Sequence, residues 1–483
     1  MTATGHVLAR ELTAETLPSA AAWERRAAEA LAAGWHFAGL DARPLPDGGA
    51  RARVVLARED RLLLLDGHEP SGRLPTLIAH APAAQWDERE AHDRHGIRFA
   101  GHDPLRPLLR HPDQLADWTT PVHGRDTHQV AVGPIHAGVI ESGHFRFHVV
   151  GERILQLDPQ LFYKHRGLEQ AVEGEPPSTA LAQLARACGA CTIANSVAFA
   201  QAWECAAGLW PDDDLRRART LLLELERLYN HLGDIAAICA GVGLGAGTMA
   251  FAALKERAHR LNATLTGHRF LFDTIAIAHS DLTIDRATAR TALATLGQLR
   301  DDYHRAWRQV QFSHSAQERF SGCGGVTPST AAKLGATGPA ARACGIAQDV
   351  RRHSPRLHYD GFAPATPDEP TGDVAARVEV RGAELTASFG ILVDLLSRPL
   401  RPAAAPPAGC RGTVGASRVE SPRGATLCLI ELDANTDRLA TMRLRTGSYA
   451  NWPILARAVA GELLPDFPLI NKSFELCYAC VDR

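Results

Sequence analysis

Arg186-Ala187-Cys188-Gly189-Ala190-Cys191 in mid-chain and Cys477-Tyr478-Ala479-Cys480 near Arg483 are the stretches on which the fold turns. Each holds a Cys-x-x-Cys pair, and more than half of the sequence lies between them. A compact zinc knuckle keeps its two pairs close together. Pairs this far apart share a metal only if the fold returns the last residues to the centre of the molecule. That return suggests a buried metal centre.

Cys188 and Cys191 stand just ahead of an apolar helical pattern, Ile193, Val197 and Ala200. A helix N-terminus favours thiolate through its partial positive charge, and Arg186 adds to it. Cys477 and Cys480 lie in a segment without helix signals, expected to act as a rigid clamp. Four thiolates select a soft metal: zinc, an iron–sulfur cluster or a nickel/iron centre. By spacing alone a structural tetrathiolate zinc is the commonest fate of two such pairs. Two unrelated pairs of buried thiols are the plainer alternative. Cys205, Cys239, Cys323, Cys344, Cys410 and Cys428 lack partner spacing and read as small apolar fillers.

The 483 residues are 45% hydrophobic and 22% charged, with a formal charge of −2. This is the profile of a soluble globular chain with room for two or three domains. The balance of charges gives no reason to expect nucleic acid as a partner. Arg10, Glu11, Glu15, Glu24, Arg25 and Arg26 interrupt any apolar core a secretory signal would need. Ten cysteines without such a signal point to a reducing compartment, where paired thiols are metal ligands more often than disulfides. Residues 235–254 carry one charge-free stretch, but Gly241, Gly243, Gly245 and Gly247 break it. It reads as a helix end running into a glycine-rich buried loop, and no membrane span is expected.

Residues 1–118 form a separate small α/β unit, with a helix over 20–33 and strands over 51–57 and 61–66 turned by Glu59 and Asp60. Residues 88–93 read as a helical turn, and 118–128 as a polar linker. Strands are expected over 142–150 and 154–157, and helices over 178–207, 220–239, 255–277 and 287–312. The clearest helix repeats Leu221, Leu225, Leu228, Leu232, Ile235 and Cys239 at three and four. Residues 395–410 read as a connector, and 425–432 and 438–445 as strands.

Around the cysteines, Arg186-x-Cys188-Gly189-x-Cys191 and Cys477-x-x-Cys480 resemble the two ligand motifs of the [NiFe]-hydrogenase large subunit. Gly133-Pro-Ile-His, Glu141-x-Gly-His144, His165-Arg-Gly-Leu-Glu169, Glu224-Leu-Glu-Arg-Leu-Tyr-Asn-His-Leu-Gly-Asp234, Pro422-Arg-Gly424 and Asn451-Trp-Pro453 resemble its complex I-related branch. Glu88-Arg-Glu-Ala-His-Asp93, Gly96-Ile and Gly101-His-Asp-Pro-Leu-Arg106 are similar to the signature of the thirty-kilodalton subunit of complex I. Together they look like a subunit in which thirty- and forty-nine-kilodalton types are fused, as in the large subunits of formate hydrogenlyase and hydrogenase-4.

The resemblance implies an α+β protein. A small α/β domain like the thirty-kilodalton subunit of complex I, over 1–118, would come first. A large, mainly helical [NiFe]-hydrogenase large-subunit-like domain with peripheral β-strands would follow over 119–483. The resemblance implies reversible H₂ oxidation at a Ni–Fe centre, with Cys191 and Cys480 bridging, Cys188 and Cys477 terminal on nickel, and CO and cyanide on the iron. Glu141 matches the family's proton-relay glutamate, and Arg423 the arginine over the open metal position. His165 is expected to be a hydrogen-bonded structural histidine, and one of Glu224 and Glu226 a buried ion-paired carboxylate. No iron–sulfur cluster is expected in this chain. Electrons would therefore leave through a small iron–sulfur subunit, like the twenty-kilodalton subunit of complex I. Membrane antiporter-like subunits and maturation proteins are the other partners implied. The chain would then sit in the cytoplasm, peripheral on the inner face of the cell membrane. The family alternative is a quinone-cavity or coupling subunit with its thiols empty or on zinc. One departure stands out: Glu475-Leu476 occupies the place of the family's Asp-Pro, keeping a carboxylate but losing the rigid ring.

Overall fold

The run Leu62-Leu63-Leu64-Leu65 lacks polar alternation because the sheet containing it is covered on both faces. In the computed structural model, which describes residues 4–7, 11–136, 140–404 and 412–483, strands β1 (Thr4–Val7), β2 (Leu12–Thr16), β3 (His36–Pro44), β4 (Ala50–Arg58) and β5 (Arg61–Glu69) form one sheet. Its order is β1-β2-β5-β4-β3. Successive side chains point to opposite faces. Val54, Leu56, Leu63 and Leu65 pack beneath the helix Ala20–Ala32. Val55, Leu62 and Leu64 meet Cys205, Ala416 and Leu427 from the rest of the chain. Both faces are therefore apolar. The expected strand pair is present, with Arg58 opposite Arg61 across Glu59-Asp60. Gly67 is required by packing: a Cβ there would stand 2.5 Å from Cγ of Trp23. The segment read as a helical turn is a full helix, Gln85–His95, ended by Gly96 at φ +71. Strands β6 (Arg73–Pro75) and β7 (Arg98–Ala100) form a short pair beside it.

A second sheet, ordered β10-β9-β8, contains β8 (Thr127–Val132), β9 (His144–Val150) and β10 (Arg153–Gln160). The linker expected up to His128 thus already contains the start of β8. This edge strand opens with the polar Thr127-His-Gln129 and only its end, Val130 and Val132, packs against the core, so it is too short in apolar residues to stand out. The helical stretch expected over 178–207 is two helices, Pro177–Ala185 and Thr192–Ala206, interrupted at the first cysteine pair. The long helix Asp213–Gly241 begins at Asp212, whose carboxylate accepts from the Leu215 amide at 2.8 Å. No long glycine loop follows it. Residues 242–244 turn the chain into a further helix, Gly245–Thr266, which corrects the reading of residues 235–254. Among the described residues no helix is long and apolar enough to cross a membrane.

Helix Arg286–Gln311 follows, as expected, and Val374–Leu396 completes the helical body. The latter escapes a periodicity search because its buried face includes Arg377, Arg381 and Glu384. The connector expected from residue 395 begins inside this helix, and Cys410 lies outside the described residues. The third sheet is β11 (Val414–Ser421), β12 (Gly424–Leu432) and β13 (Leu439–Arg445). Only β12 and β13 were legible, since in β11 the run Gly415-Ala-Ser-Arg418 separates its two branched residues, Val414 and Val419. The reason is contact: a Cβ on Gly415 would stand 2.0 Å from the carbonyl oxygen of Ala202. Helices Gly447–Ala458 and Phe467–Phe474 lead to the terminal segment. Cys205, Cys239, Cys323, Cys344 and Cys428 are buried free thiols, as fillers should be.

Candidate metal centre

The first cysteine pair sits in the break between the two helices, with Cys191 as the residue preceding Thr192–Ala206. The long helix holds that break from one side. Tyr229 OH donates to Gly189 O at 2.7 Å, and Asn230 Nδ2 to Ala190 O at 2.8 Å. Glu226 accepts from the amides of Ile193 at 2.6 Å and Ala194 at 3.0 Å. These amides begin a helix and have no partner within it. Burial pushes the Glu226 carboxyl up to about 8 despite both bonds. The ion-paired carboxylate of the neighbouring two is Glu224, which faces Arg227 at 3.2 Å.

The terminal segment is not an irregular clamp. It is a five-residue helix, Tyr478–Asp482, with Cys477 ahead of it. Its inward path is fixed by the motif His165-Arg-Gly-Leu-Glu169. His165 Nδ1 lies 2.6 Å from Asp482 O, and the amides of Arg166 and Gly167 donate to Arg483 O at 2.8 and 3.0 Å. Asp482 accepts from the amides of Phe162 and Lys164 at 2.8 and 2.9 Å. The Arg483 side chain, 1% exposed, bonds both oxygens of Glu90 at 2.7 Å and faces Glu169 at 3.2 Å. Glu90 belongs to the N-terminal signature, so the N-terminal unit meets the tail. Cys477 N donates to Ser448 Oγ at 2.9 Å, and Thr446 Oγ1 to Cys480 O at 3.1 Å.

The two distant pairs converge. Cys188 Sγ lies 2.9 Å from Cys477 Sγ, well beyond a disulfide bond of about 2.05 Å. The sulfurs of Cys188, Cys191 and Cys480 all lie within 4.8 Å of one another. Hydrogen bonds from Cys191, Cys477 and Cys480 hold the Cys188 thiol well below its usual range. The same bonds push the other three well above theirs, because four adjacent sulfurs cannot all be anionic without a cation. A four-sulfur donor set at the start of a helix fits a soft metal.

On one side the cluster opens to a cavity of about 250 Å³ lined by Glu141, Arg423, Glu475, Cys477 and Tyr478. Glu141 reaches it because Tyr478 lies against Gly143, where a Cβ would stand 2.7 Å from Tyr478 Cε1. Arg423 is not a surface turn residue. It is buried, paired with Asp234, and donates to Asn230 Oδ1 at 3.3 Å. Its carbonyl accepts from Asn451 Nδ2 at 3.1 Å. Asp234 also accepts from Arg381 Nε at 3.0 Å. Burial opposes ionisation of both partners, but their mutual attraction keeps Arg423 above and Asp234 below its usual range. Glu475 ends helix Phe467–Phe474 at φ +49, a left-handed conformation usually left to glycine or asparagine. Burial, then the charge of Asp234, push its carboxyl up to about 7. Sequence reading took Glu226 only as one of two candidates for a buried ion-paired carboxylate and gave no separate role to Asn230 or Asp234. Their signal was present: polar residues four apart beside an apolar stripe share one helix face.

Comparison with known proteins agrees with this architecture. Residues 16–123 match the family described as respiratory-chain NADH dehydrogenase, 30 Kd subunit. Residues 243–405 and 407–483 match the corresponding 49 Kd subunit. The chain is 29% identical to formate hydrogenlyase subunit 5 of Escherichia coli (strain K12) over 451 residues, 87% of this chain and 78% of that one. It is also 29% identical to hydrogenase-4 component G of the same organism over 444 residues, 86% and 76% of the two chains. Among solved structures, it is similar to a chain of the membrane-bound sulfane sulfur reductase, an archaeal respiratory membrane complex. The TM-score is 0.67 at 25% identity, covering 75% of this chain and all of that one. The chain thus joins in one polypeptide complex I-like domains of both subunit types, the 30 Kd and the 49 Kd.

Proposed function

We propose that this protein is the catalytic large subunit of a membrane-associated, complex I-like [NiFe]-hydrogenase, oxidising H₂ reversibly to protons and electrons. The supporting observation is that Cys477 of the four-cysteine cluster lines a cavity together with Arg423 and Glu141. A structural zinc site is closed on all sides, whereas a catalytic site keeps one open. Cys188, Cys191, Cys477 and Cys480 would hold a nickel–iron centre whose iron carries CO and cyanide. When bound, that centre supplies cleavage and formation of the H–H bond. The chain contributes the surroundings. Arg423, fixed by Asp234 and Asn230, presents a rigid cation to the cavity. Glu141 takes and returns the proton at its carboxylate. Tyr229, Asn230 and Glu226 keep the first pair in place.

In this reading the chain passes electrons to a small iron–sulfur subunit. Antiporter-like membrane subunits place it at the inner face of the membrane, and maturation proteins load its metal. The test is H₂-dependent dye reduction by the purified complex. Cys480→Ser abolishes it, and Glu141→Gln slows it while nickel stays bound. Full activity in the Cys480 variant would overturn the assignment. Zinc alone, or no metal, in an intact complex would favour a quinone-cavity or coupling subunit instead.

A further inference from the structure

Away from the cysteines, at the seam between the N-terminal sheet and the rest of the chain, a cavity of about 270 Å³ carries cations but no carboxylate in its wall. His36 and Phe37 come from β3, Lys333 from the helix Pro328–Lys333, Arg418 from β11 and Arg445 from the end of β13. Arg445 is neutralised by Asp87 at 3.0 Å. Arg418 is not: among the described residues its guanidinium makes no ion pair or hydrogen bond, although it also lines an adjoining cavity of about 250 Å³. The nearby Glu420 is engaged elsewhere, with Arg342 at 3.1 Å and the Val350 amide at 3.2 Å. Lys333 at the rim is likewise without a partner among the described residues. Burial lowers the affinity of Arg418 for its proton; Glu420 raises it and Arg445 lowers it further. Gln348 bridges the mouth to His36, Nε2 to Nε2, at 2.8 Å. A half-buried, unpaired guanidinium is costly unless something completes it, and its planar fork suits a two-oxygen anion.

We propose that this seam is a binding site for a small oxyanion-bearing molecule, a phosphate or carboxylate, held by Arg418 with Lys333 at the entrance. Because His36 comes from the N-terminal unit and the other two groups from the C-terminal one, the ligand ties the two together. The site lies apart from the cysteine cluster and does not depend on the hydrogenase reading. The test is calorimetric titration of the intact complex with inorganic phosphate and, separately, with citrate, at constant ionic strength set by chloride. Saturable binding of at least one probe is expected, weakened about tenfold or more by Arg418→Gln. Lys333→Gln, at an exposed rim where folding is unaffected, weakens it by a smaller factor. A preference for one probe identifies the headgroup. Absence of saturable binding to either probe, or equal affinity in wild type and both variants, overturns the proposal.

Discussion

At the residue scale, the arrangement of charge around Arg423 does more than its position in a Pro-Arg-Gly turn suggests. Asp234 joins Arg423 and Arg381 inside the protein, so Asp234→Asn leaves two buried cations under-compensated. Breaking a buried pair this way costs about 3–5 kcal/mol. We expect a drop of that size in urea unfolding of the variant, with loss of dye reduction; an unchanged midpoint would contradict it. Arg423→Lys keeps the charge but loses the fork that reaches Asp234 and Asn230 together. It should retain metal yet lose most activity, which metal analysis beside the rate will show.

At the element scale, the placement of the first cysteine pair depends on how closely β11 meets the helix that begins beyond Cys191. Gly415→Ala drives a methyl group into the Ala202 carbonyl. Overpacking of this kind costs about 1–3 kcal/mol. The expected result is a lower unfolding midpoint together with weaker metal retention, and a variant as stable as the parent would contradict the packing. The same contact explains what sequence could and could not give. The hairpin β4–β5 and the leucine stripe of the long helix were legible because apolar periodicity reports burial directly. Strand β11 was hidden because its close contact demands Gly415 and Ala416, which carry no strand signal. Helix Val374–Leu396 was hidden because its buried face is charged. The four cysteines, Glu141 and Arg423 were legible as candidates by resemblance. Their supports, Glu226, Asn230 and Asp234, were not legible as supports, because a polar residue in a helix is usually solvated and only burial distinguishes these.

At the scale of the whole molecule, Arg483 ties the terminal cysteine segment to the N-terminal unit through Glu90 and to the body through Glu169. Burial would raise Glu169, but Arg483, Arg443 and Arg94 hold it at about 2, against an ordinary 4.5. A carboxylate lowered on folding stabilises fully above its unfolded value, and that stability is lost as pH falls through the folded one. Stability should therefore decline with acid between about pH 4.5 and 2, and Glu169→Gln should flatten the decline in unfolding measured across that range. An equally steep decline in the variant would contradict this. The account as a whole rests on the inward-turned tail placing Cys477 and Cys480 against Cys188 and Cys191 around a nickel–iron centre. Infrared spectroscopy of the intact purified complex tests it most directly. We predict bands of iron-bound CO and cyanide, absent from the Cys480→Ser variant; a fully metallated complex without such bands would contradict it.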